Sequence, residues 1–471
     1  MVCRGGSCYG VTMGAVFTGG GMTGWFYRHR RLPSRWCVFF FALLPGLFSG
    51  PVAAETPETS FGEAVFRRLE SERSESADDL FGGRWGFVHP FLSLGTEYTD
   101  NLFNTRKDRR DDLTTIISPG LWLALPASRE QLLDVTTMNS APGGLAVSRF
   151  VAESERRHQA YALYRADIKE LADHSEFDRT NQRAEGLFSY RLRGGLFFEL
   201  LDIYCRDDDE FGTSTLAALD RYRSNLFSVR IGYEITPKTW VEFDYSNYFL
   251  NYESSRNLYR DRQDNAFSGS LFFRIFTKTA LFVSADHIDV RYDEDVLSDS
   301  TELNYYGGIQ WRMTDHSVGR IKLGYGEKDY VGQLFEDRDS VRVEAQLQHW
   351  LTPKTTLGFV GSRRTNETTV QGPEGSLSHA ADLIYRQRIT RKLSGESSLG
   401  YTRDSFAGDF YDDGEIGKRV DEYYRANLKL GFDLKSWLNF AVEYTFDRRD
   451  SNFDNYDYRN NTIFLNVTFG I

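Results

Sequence analysis

The chain ends with the stretch IFLNVTFGI at positions 463–471, and this stretch decides the fold. Large apolar residues fill its odd positions, while most even positions are small or polar. Because successive strand side chains point to opposite faces, a period of two predicts a β-strand with one apolar face. We expect this strand to pair with the first one, so that no unpaired edge remains. The residues of the apolar face are Ile463, Leu465, Val467, Phe469 and Ile471.

The same period of two begins near residue 86 and recurs along the rest of the chain. At 341–347 the odd positions are apolar and the even positions are charged or amide residues. We expect Val343 to face lipid and Arg342 the interior, so that Arg342→Glu should leave folding nearly intact. A soluble sandwich could produce one such strand, but so many long strands in succession favour a membrane barrel.

Short breaks and long polar stretches alternate between these strands. Breaks such as Thr236-Pro237-Lys238 and Thr352-Pro353-Lys354 recur roughly every 40 residues, which is the length of two strands with a loop and a turn. Acidic stretches such as 206–220 and 404–422 lie between them. Tight turns on one side and long loops on the other are typical of outer-membrane barrels, whose turns are periplasmic and whose loops are extracellular.

We therefore predict an all-β fold, a transmembrane antiparallel up-and-down β-barrel of about 18 strands, within the range 16–20. Residues 126–156 are ambiguous. Segments 132–137 and 145–151 could form a further strand pair, or the region around Ala141-Pro142-Gly143-Gly144 could be irregular. The sequence does not decide whether the lumen is open or plugged.

The composition agrees with a barrel. Aromatic residues make up 15% of the 471 residues and charged residues 26%, and the mean hydropathy is −0.46. After the N-terminal region, no segment approaches the run of about 20 apolar residues that a membrane helix requires. The formal net charge of −11 argues against a nucleic-acid partner, because phosphate binding requires a basic surface.

The N-terminal region has the features of an export signal. Four arginines between positions 28 and 35 precede an apolar run at 36–48, and Val52 and Ala54 supply small residues before Glu55. We predict a signal peptide at 1–54, with Met22 as an alternative start and a membrane anchor as the alternative role. Residues 55–85 are expected to be a polar periplasmic lead-in or short helix, and 86–471 the barrel. Cleavage would leave Cys205 as the only cysteine, so we expect no internal disulfide.

The opening of the barrel carries the most distinctive motifs. These are HPF at 89–91, EYTDNLF at 97–103 and ISPGL at 117–121. Together with the Thr-Pro-Lys turns and the aromatic last strand, they resemble the putative β-barrel porin 2 family, from about residue 85 to the end. The resemblance implies an outer-membrane protein associated with the secretion of exopolysaccharide or capsular polysaccharide. It implies no catalytic residues.

The chemistry-bearing residues show no catalytic or metal-binding pattern. The histidines are scattered, and none forms a motif with a serine nucleophile, so we expect no enzyme. Acidic runs at 207–210 and 409–415 do not have the spacing of a calcium-binding EF-hand loop, and we expect them to be solvated loops. We predict no metal and no cofactor.

Alternation places a set of basic side chains in the lumen, most of them near the short turns. Basic groups there could attract an anionic chain, as charges do in ion-selective pores. The alternative is that they pair with interior acids such as Glu344 and Glu396. The basic residues are Arg274, Arg312, Arg320, Lys322, Arg386, Arg388 and Lys429.

These features predict a channel in the cell outer membrane that passes exopolysaccharide or capsular polysaccharide from the periplasm to the cell surface. The expected partners are outer-membrane lipid and lipopolysaccharide, a polysaccharide substrate and periplasmic export proteins. The alternative is a plugged structural or adhesive barrel that binds partners through its acidic loops.

Overall fold

The structure, a computed structural model, describes most of the chain after residue 87. The described ranges are 88–125, 139–144, 157–209, 219–294, 296–314, 317–331, 338–368, 375–412 and 414–470. The predicted signal peptide at 1–54, the lead-in at 55–85 and the last residue, Ile471, lie outside these ranges. So do the segments 132–137 and 145–151 that were considered as a strand pair.

Long antiparallel strands make up almost all of the described chain. They are β1 (Val88–Thr99), β2 (Asp112–Leu125), β3 (His158–Leu171), β4 (Arg179–Arg191), β5 (Leu196–Asp208), β6 (Arg221–Thr236), β7 (Thr239–Tyr252), β8 (Arg262–Phe276), β9 (Thr279–Tyr292), β10 (Ser300–Thr314), β11 (Ser317–Tyr330), β12 (Arg338–Thr352), β13 (Thr355–Asn366), β14 (Ser376–Arg388), β15 (Leu393–Phe406), β16 (Phe410–Asp412), β17 (Glu415–Gly417), β18 (Val420–Lys435), β19 (Leu438–Ser451) and β20 (Tyr458–Gly470).

Eighteen of these strands form one closed sheet, and β16 and β17 form a separate hairpin. Each barrel strand pairs with its neighbours along the chain. The last strand pairs with the first, from Phe91 opposite Gly470 to Thr99 opposite Thr462. Closure satisfies the backbone groups of both edge strands, which is necessary in lipid because no water is available to bond them. The prediction of an 18-stranded up-and-down barrel is confirmed.

The two ends of the barrel differ in the length of their connections. At one end, the turn rim, most connections have two to four residues, and at the other, the loop rim, they have six to thirteen. One connection at the turn rim departs from this prediction, because β2 ends at Leu125 and β3 begins only at His158. This connection contains the ambiguous region of the sequence.

The two faces of the sheet differ in exposure as the alternation predicts. On β12, the Arg342 side chain is 1% exposed on the lumen face, whereas its outward neighbour Val341 is 48% exposed. On β7, outward Phe243 is 61% exposed, while inward Tyr248 is 1% exposed. A barrel in lipid presents apolar side chains outward and keeps polar ones inside.

Only short 3-10 turns interrupt the strands in the described ranges. They are Pro142–Gly144, Ser175–Phe177, Ser255–Arg260 and Asp454–Tyr456. No helix in these ranges has the length and apolar character needed to cross a membrane. The Pro142–Gly144 turn shows that this part of the ambiguous region is irregular, with Gly143 at a φ of 71° that favours glycine.

Candidate functional site in the lumen

The lumen face of β6 to β12 carries a belt of acids and bases, which we call the charged wall. At its centre Lys322 Nζ lies 3.0 Å from Glu344 Oε2 and 4.0 Å from Asp286 Oδ2. On the neighbouring strands Arg230 Nε lies 2.8 Å from Asp244 Oδ1. Opposite charges on adjacent strands neutralise one another at hydrogen-bonding distance, so this wall is polar but close to electrically balanced.

An aromatic stack lies below this belt, near the turn rim. The rings of Trp240 and Phe272 stack with centroids 4.7 Å apart, and Phe282 lies 5.1 Å beyond Phe272. The Arg320 guanidinium is 4.4 Å from the centroid of the Phe282 ring. This cation–π contact holds Arg320 against the wall at the level of the charged belt.

Three of the basic residues predicted for the lumen are paired with acids. Lys322 belongs to the charged wall, Arg386 is paired with Glu396, and Lys429 Nζ lies 3.2 Å from Glu443 Oε2.

The remaining basic residues lie close to the turns or outside the residues that the structure describes. Arg274 donates to the Pro237 carbonyl at 3.1 Å, and Arg388 is exposed at the end of β14. The Arg312 side chain lies outside the described residues. That these side chains form a transport path stays a prediction, and the pairs found here match the alternative in which bases neutralise interior acids.

The lumen face of β2 to β5 carries charged residues, such as Lys169 and Glu185, but it also carries a large apolar cluster. Its side chains are at most 6% exposed, while outward neighbours such as Leu121 and Leu123 are each 40% exposed. The Trp122 ring also stacks on His89, with centroids 3.8 Å apart. We call this surface the apolar wall; it consists of Trp122, Ala124, Tyr161, Leu163, Leu187, Leu201, Ile203 and Cys205.

A buried ionic network lies near the loop rim. Lys328 pairs with Glu367, and both side chains are 1% exposed. Arg262 Nε lies 3.1 Å from Asp264 Oδ1, and Tyr292 donates to Glu367 at 2.7 Å. Buried charges require this degree of pairing, because an unpaired charge in a dry site is strongly unfavourable.

Glu367 follows β13 and lies outside the strands. Burial by itself would raise the pKa of this carboxyl. The nearby cations of Lys328 and Arg262, together with hydrogen bonds from Lys328 and Tyr292, instead lower its pKa below the ordinary value of 4.5. Glu367 is therefore held as a carboxylate.

Residues 139–144 lie inside the barrel and bind this network. The side-chain amide of Asn139 donates to Asp209 Oδ1 at 2.6 Å and to the Tyr252 hydroxyl at 3.2 Å. The Gly143 amide donates to Asp264 Oδ2 at 2.7 Å. Two carbonyls also accept hydrogen bonds, that of Ala141 from Arg262 at 3.2 Å and that of Ser140 from the Glu367 amide. We call 139–144 the inner segment.

A cavity of about 140 Å³ separates the inner segment from the charged wall. Ala141, Pro142 and Gly143 form one side. The opposite side includes serine and tyrosine hydroxyls together with four bases and five acids, namely Arg230, Arg320, Lys322 and Arg364 with Glu242, Asp244, Asp286, Glu302 and Glu344. A site of this kind can exchange hydrogen bonds with a polar solute at many points.

The expectation that residues 207–210 form a solvated acidic loop was wrong for the part that the structure describes. Asp208 Oδ2 lies 2.8 Å from Arg179 Nε, and Asp209 Oδ2 lies 2.7 Å from Arg260 Nη1. Both carboxylates are neutralised by cations, Arg179 on β4 and Arg260 in the 3-10 segment Ser255–Arg260, and both are at most 6% exposed. No group of three or more potential metal ligands occurs in the described ranges.

Sequence reasoning also missed Arg262, Asp264, Lys328 and Glu367. Arg262 and Asp264 lie two positions apart on β8, so alternation puts them on one face. Nothing in the sequence brings Lys328 of β11, or Glu367 just after β13, to this pair. The one available signal was the turn-forming Pro142-Gly143-Gly144 inside a connection far longer than its neighbours at the same rim.

Several solved structures of low sequence identity are similar to this chain over most of its length. OpdL of Pseudomonas aeruginosa is 11% identical, with 82% of this chain and 99% of that chain covered and a TM-score of 0.39. OccK2 (OpdF) of the same organism is 9% identical, with 82% and 98% covered and a TM-score of 0.42. OccAB4 of Acinetobacter baumannii is 9% identical, with 83% and 100% covered and a TM-score of 0.39.

Among curated proteins, none matches this sequence. A family model does match it, over residues 81–470, which is nearly the whole of the chain from just before β1 to the end of β20. The chain belongs to the family described as putative beta-barrel porin 2.

Proposed function

We propose that the protein is an outer-membrane channel that passes a polysaccharide chain from the periplasm to the cell surface. The observation that carries the proposal is the charged wall inside a closed barrel. A purely structural barrel has no need of a cavity lined by hydroxyls, acids and bases. A passing sugar chain, however, must exchange hydrogen bonds continuously with the wall.

The balance of charge on the wall refines the substrate class. Four bases and five acids line the cavity, and Lys322 and Arg230 lie beside carboxylates at 3.0 and 2.8 Å. Paired bases attract anions much less than unpaired bases do. The expected substrate is therefore a neutral or weakly charged, hydroxyl-rich chain. Lipopolysaccharide and periplasmic export proteins are the partners expected at the two rims.

Planar-bilayer recordings of the purified protein test this function. We expect an ohmic current with weak ion selectivity, and we expect interruptions of the current by added neutral oligosaccharides that lengthen with chain length. Acidic oligosaccharides of equal length are the comparison, and they should interrupt the current no more strongly. A folded barrel without current, or a current that no oligosaccharide interrupts, would contradict the proposal.

A plugged structural or adhesive barrel is the second candidate, and a specific observation favours it. The inner segment lies within the lumen, and the apolar wall is closed to water. The same recordings separate the two functions, since a plugged barrel conducts no ions.

A further inference from the structure

We propose that the inner segment, Asn139–Gly144, is the constriction of the channel and sets the largest solute that can pass. This inference rests on the channel function proposed above. It concerns only the six residues of the segment and the wall residues that they contact.

The position of the inner segment is the first argument. β2 ends at Leu125 on the turn rim, but the inner segment binds side chains at the opposite end of the strands. Asp264 lies near the start of β8 and Tyr252 is the last residue of β7, both at the loop rim. Both side chains belong to the lumen face and are buried. The segment therefore lies within the lumen, well away from the rim at which β2 ends.

The second argument is that residues from distant strands converge on the segment. Asn139 binds Asp209, which follows β5, and the carbonyl of the next residue, Ser140, binds the amide of Glu367, which follows β13. β5 and β13 are eight strands apart in a closed ring of 18, which is almost half the circumference. Two consecutive residues extend at most about 7 Å, so Asp209 and Glu367 must both reach inward to bind them. Pro142–Gly144 packs against β7, β8 and β9, and the segment therefore narrows the passage along this side of the lumen.

The third argument is that the binding site for the segment is rigid. Each carboxylate that holds the segment is itself paired with a base. Asp264 pairs with Arg262, with side chains 0% and 1% exposed, and Asp209 pairs with Arg260, with side chains 6% and 4% exposed. Groups fixed in this way are already oriented before they bind the segment, so the segment has one preferred position.

The chemistry of the segment assigns it to size rather than charge selection. Its residues are Asn, Ser, Ala, Pro, Gly and Gly, none of which is charged. The charged groups that it contacts, such as Asp264 with Arg262, are already paired with one another, and the lining across the cavity carries four bases and five acids. Removing the segment should therefore widen the passage and leave ion selectivity nearly unchanged.

The direct test is deletion of 139–144 in the full-length chain, followed by single-channel recording and exclusion of neutral polyethylene glycols of graded size. The strand ladder does not include these residues, so the barrel should still fold and keep its heat-modifiable mobility on gels. We expect the conductance to rise roughly twofold and the size limit to increase, as a wider pore requires.

A point variant provides an independent test. Gly143→Pro removes the amide that binds Asp264 and cannot adopt the φ of 71°. It should shift conductance in the same direction by a smaller factor. The matched control is Gly414→Pro, at a φ of 87° in the β16–β17 hairpin outside the barrel sheet, and its conductance should equal that of the parent.

The possible outcomes separate the two proposals. A folded deletion variant with the conductance and size limit of the parent would overturn the constriction while leaving the channel intact. A silent parent with a conducting deletion variant would show that the segment closes the barrel, and it would overturn both the constriction and the channel function in favour of the plugged barrel. A barrel that folds and stays silent in every form would overturn the channel function, and the constriction with it.

Discussion

The apolar wall and the charged wall occupy the same face of the same sheet, yet they differ in polarity. In the apolar wall, on β2 to β5, the lumen side chains are buried hydrocarbon, such as Leu201 and Ile203 at 0% and 1% exposure. On β6 to β12 they are paired ions, such as Lys322 with Glu344. Water wets the second surface far more readily than the first. The lumen is thus not a uniform pore, and a solute path is expected beside the charged wall.

The largest expected effect comes from placing a charged side chain in the apolar wall. Leu201→Lys places a charge among the buried apolar side chains of this wall, which costs several kcal/mol. We expect almost no folded, heat-modifiable barrel. The control is Ser270→Lys on the charged wall, where the residue opposite on β7 is Glu242, and this variant should fold. Equal yields of the two variants would show that the walls do not differ as described.

The next effect concerns a single buried pair near the loop rim. Arg342 Nη2 lies 3.0 Å from Glu302 Oε1, with both side chains at most 6% exposed, and Arg342 Nε donates to Asn304 at 3.0 Å. Arg342→Glu leaves two buried carboxylates facing each other, and we expect a loss of about 3–5 kcal/mol in the free energy of unfolding. Urea titration measures it.

This expectation corrects the inference from sequence that Arg342→Glu would be nearly harmless. Alternation correctly places Arg342 in the lumen. The error lies in the assumption that a lumen side chain is accessible to water, because Arg342 is only 1% exposed. The exchanged pair Arg342→Glu with Glu302→Arg should regain part of the loss. If the exchanged pair is no more stable than the single variant, the interaction is not the ion pair that the geometry indicates.

A smaller effect is the pH dependence of the stability that Glu367 contributes. The apolar wall should show no such dependence. Glu367 has a lowered pKa, so its contribution to stability is complete above the ordinary pKa of an unfolded glutamate. That contribution is lost as the pH falls through the lower folded value. Glu367→Gln should therefore cost about 1–3 kcal/mol at neutral pH.

The difference between Glu367→Gln and the parent should shrink when the pH is lowered from neutral through the lowered pKa of the parent carboxylate, because protonation removes its charge. Leu187→Ala in the apolar wall is the control. Its loss comes from hydrocarbon burial and should be the same at both pH values. A pH-independent difference for Glu367→Gln would contradict the assignment of Glu367 as a buried carboxylate.

The barrel could be predicted from the sequence because each of its determinants is local. A period of two, as at 463–471, and turn residues, as at Pro237-Lys238, act within a few neighbouring positions. The site could not be predicted in the same way. Glu367 meets Lys328 and Tyr292 only because three distant strands end at one rim, and the inner segment meets Asp264 across 121 positions of chain.

The smallest expected effect tests whether burial, rather than pairing alone, determines how much an ion pair in the lumen contributes to stability. Lys429 and Glu443 form an ion pair at 3.2 Å, with side chains 33% and 25% exposed, whereas Lys322 and Glu344 form one at 3.0 Å with side chains 3% and 11% exposed. The distances are nearly the same, so solvent is the main difference. Lys429→Ala should cost only about 0.2–1 kcal/mol, because water and salt screen an accessible pair.

Lys322→Ala is the matched comparison, and it should cost several times more, because it leaves Glu344 and Asp286 without their shared cation in a buried setting. Raising the salt concentration should remove most of the Lys429→Ala effect and little of the Lys322→Ala effect, since screening reaches only exposed charges. Urea midpoints of the four proteins (the parent, both single variants and the double variant) at low and high salt give the comparison. Equal losses for both single variants would mean that burial does not distinguish the centre of the charged wall from the rest of the lumen.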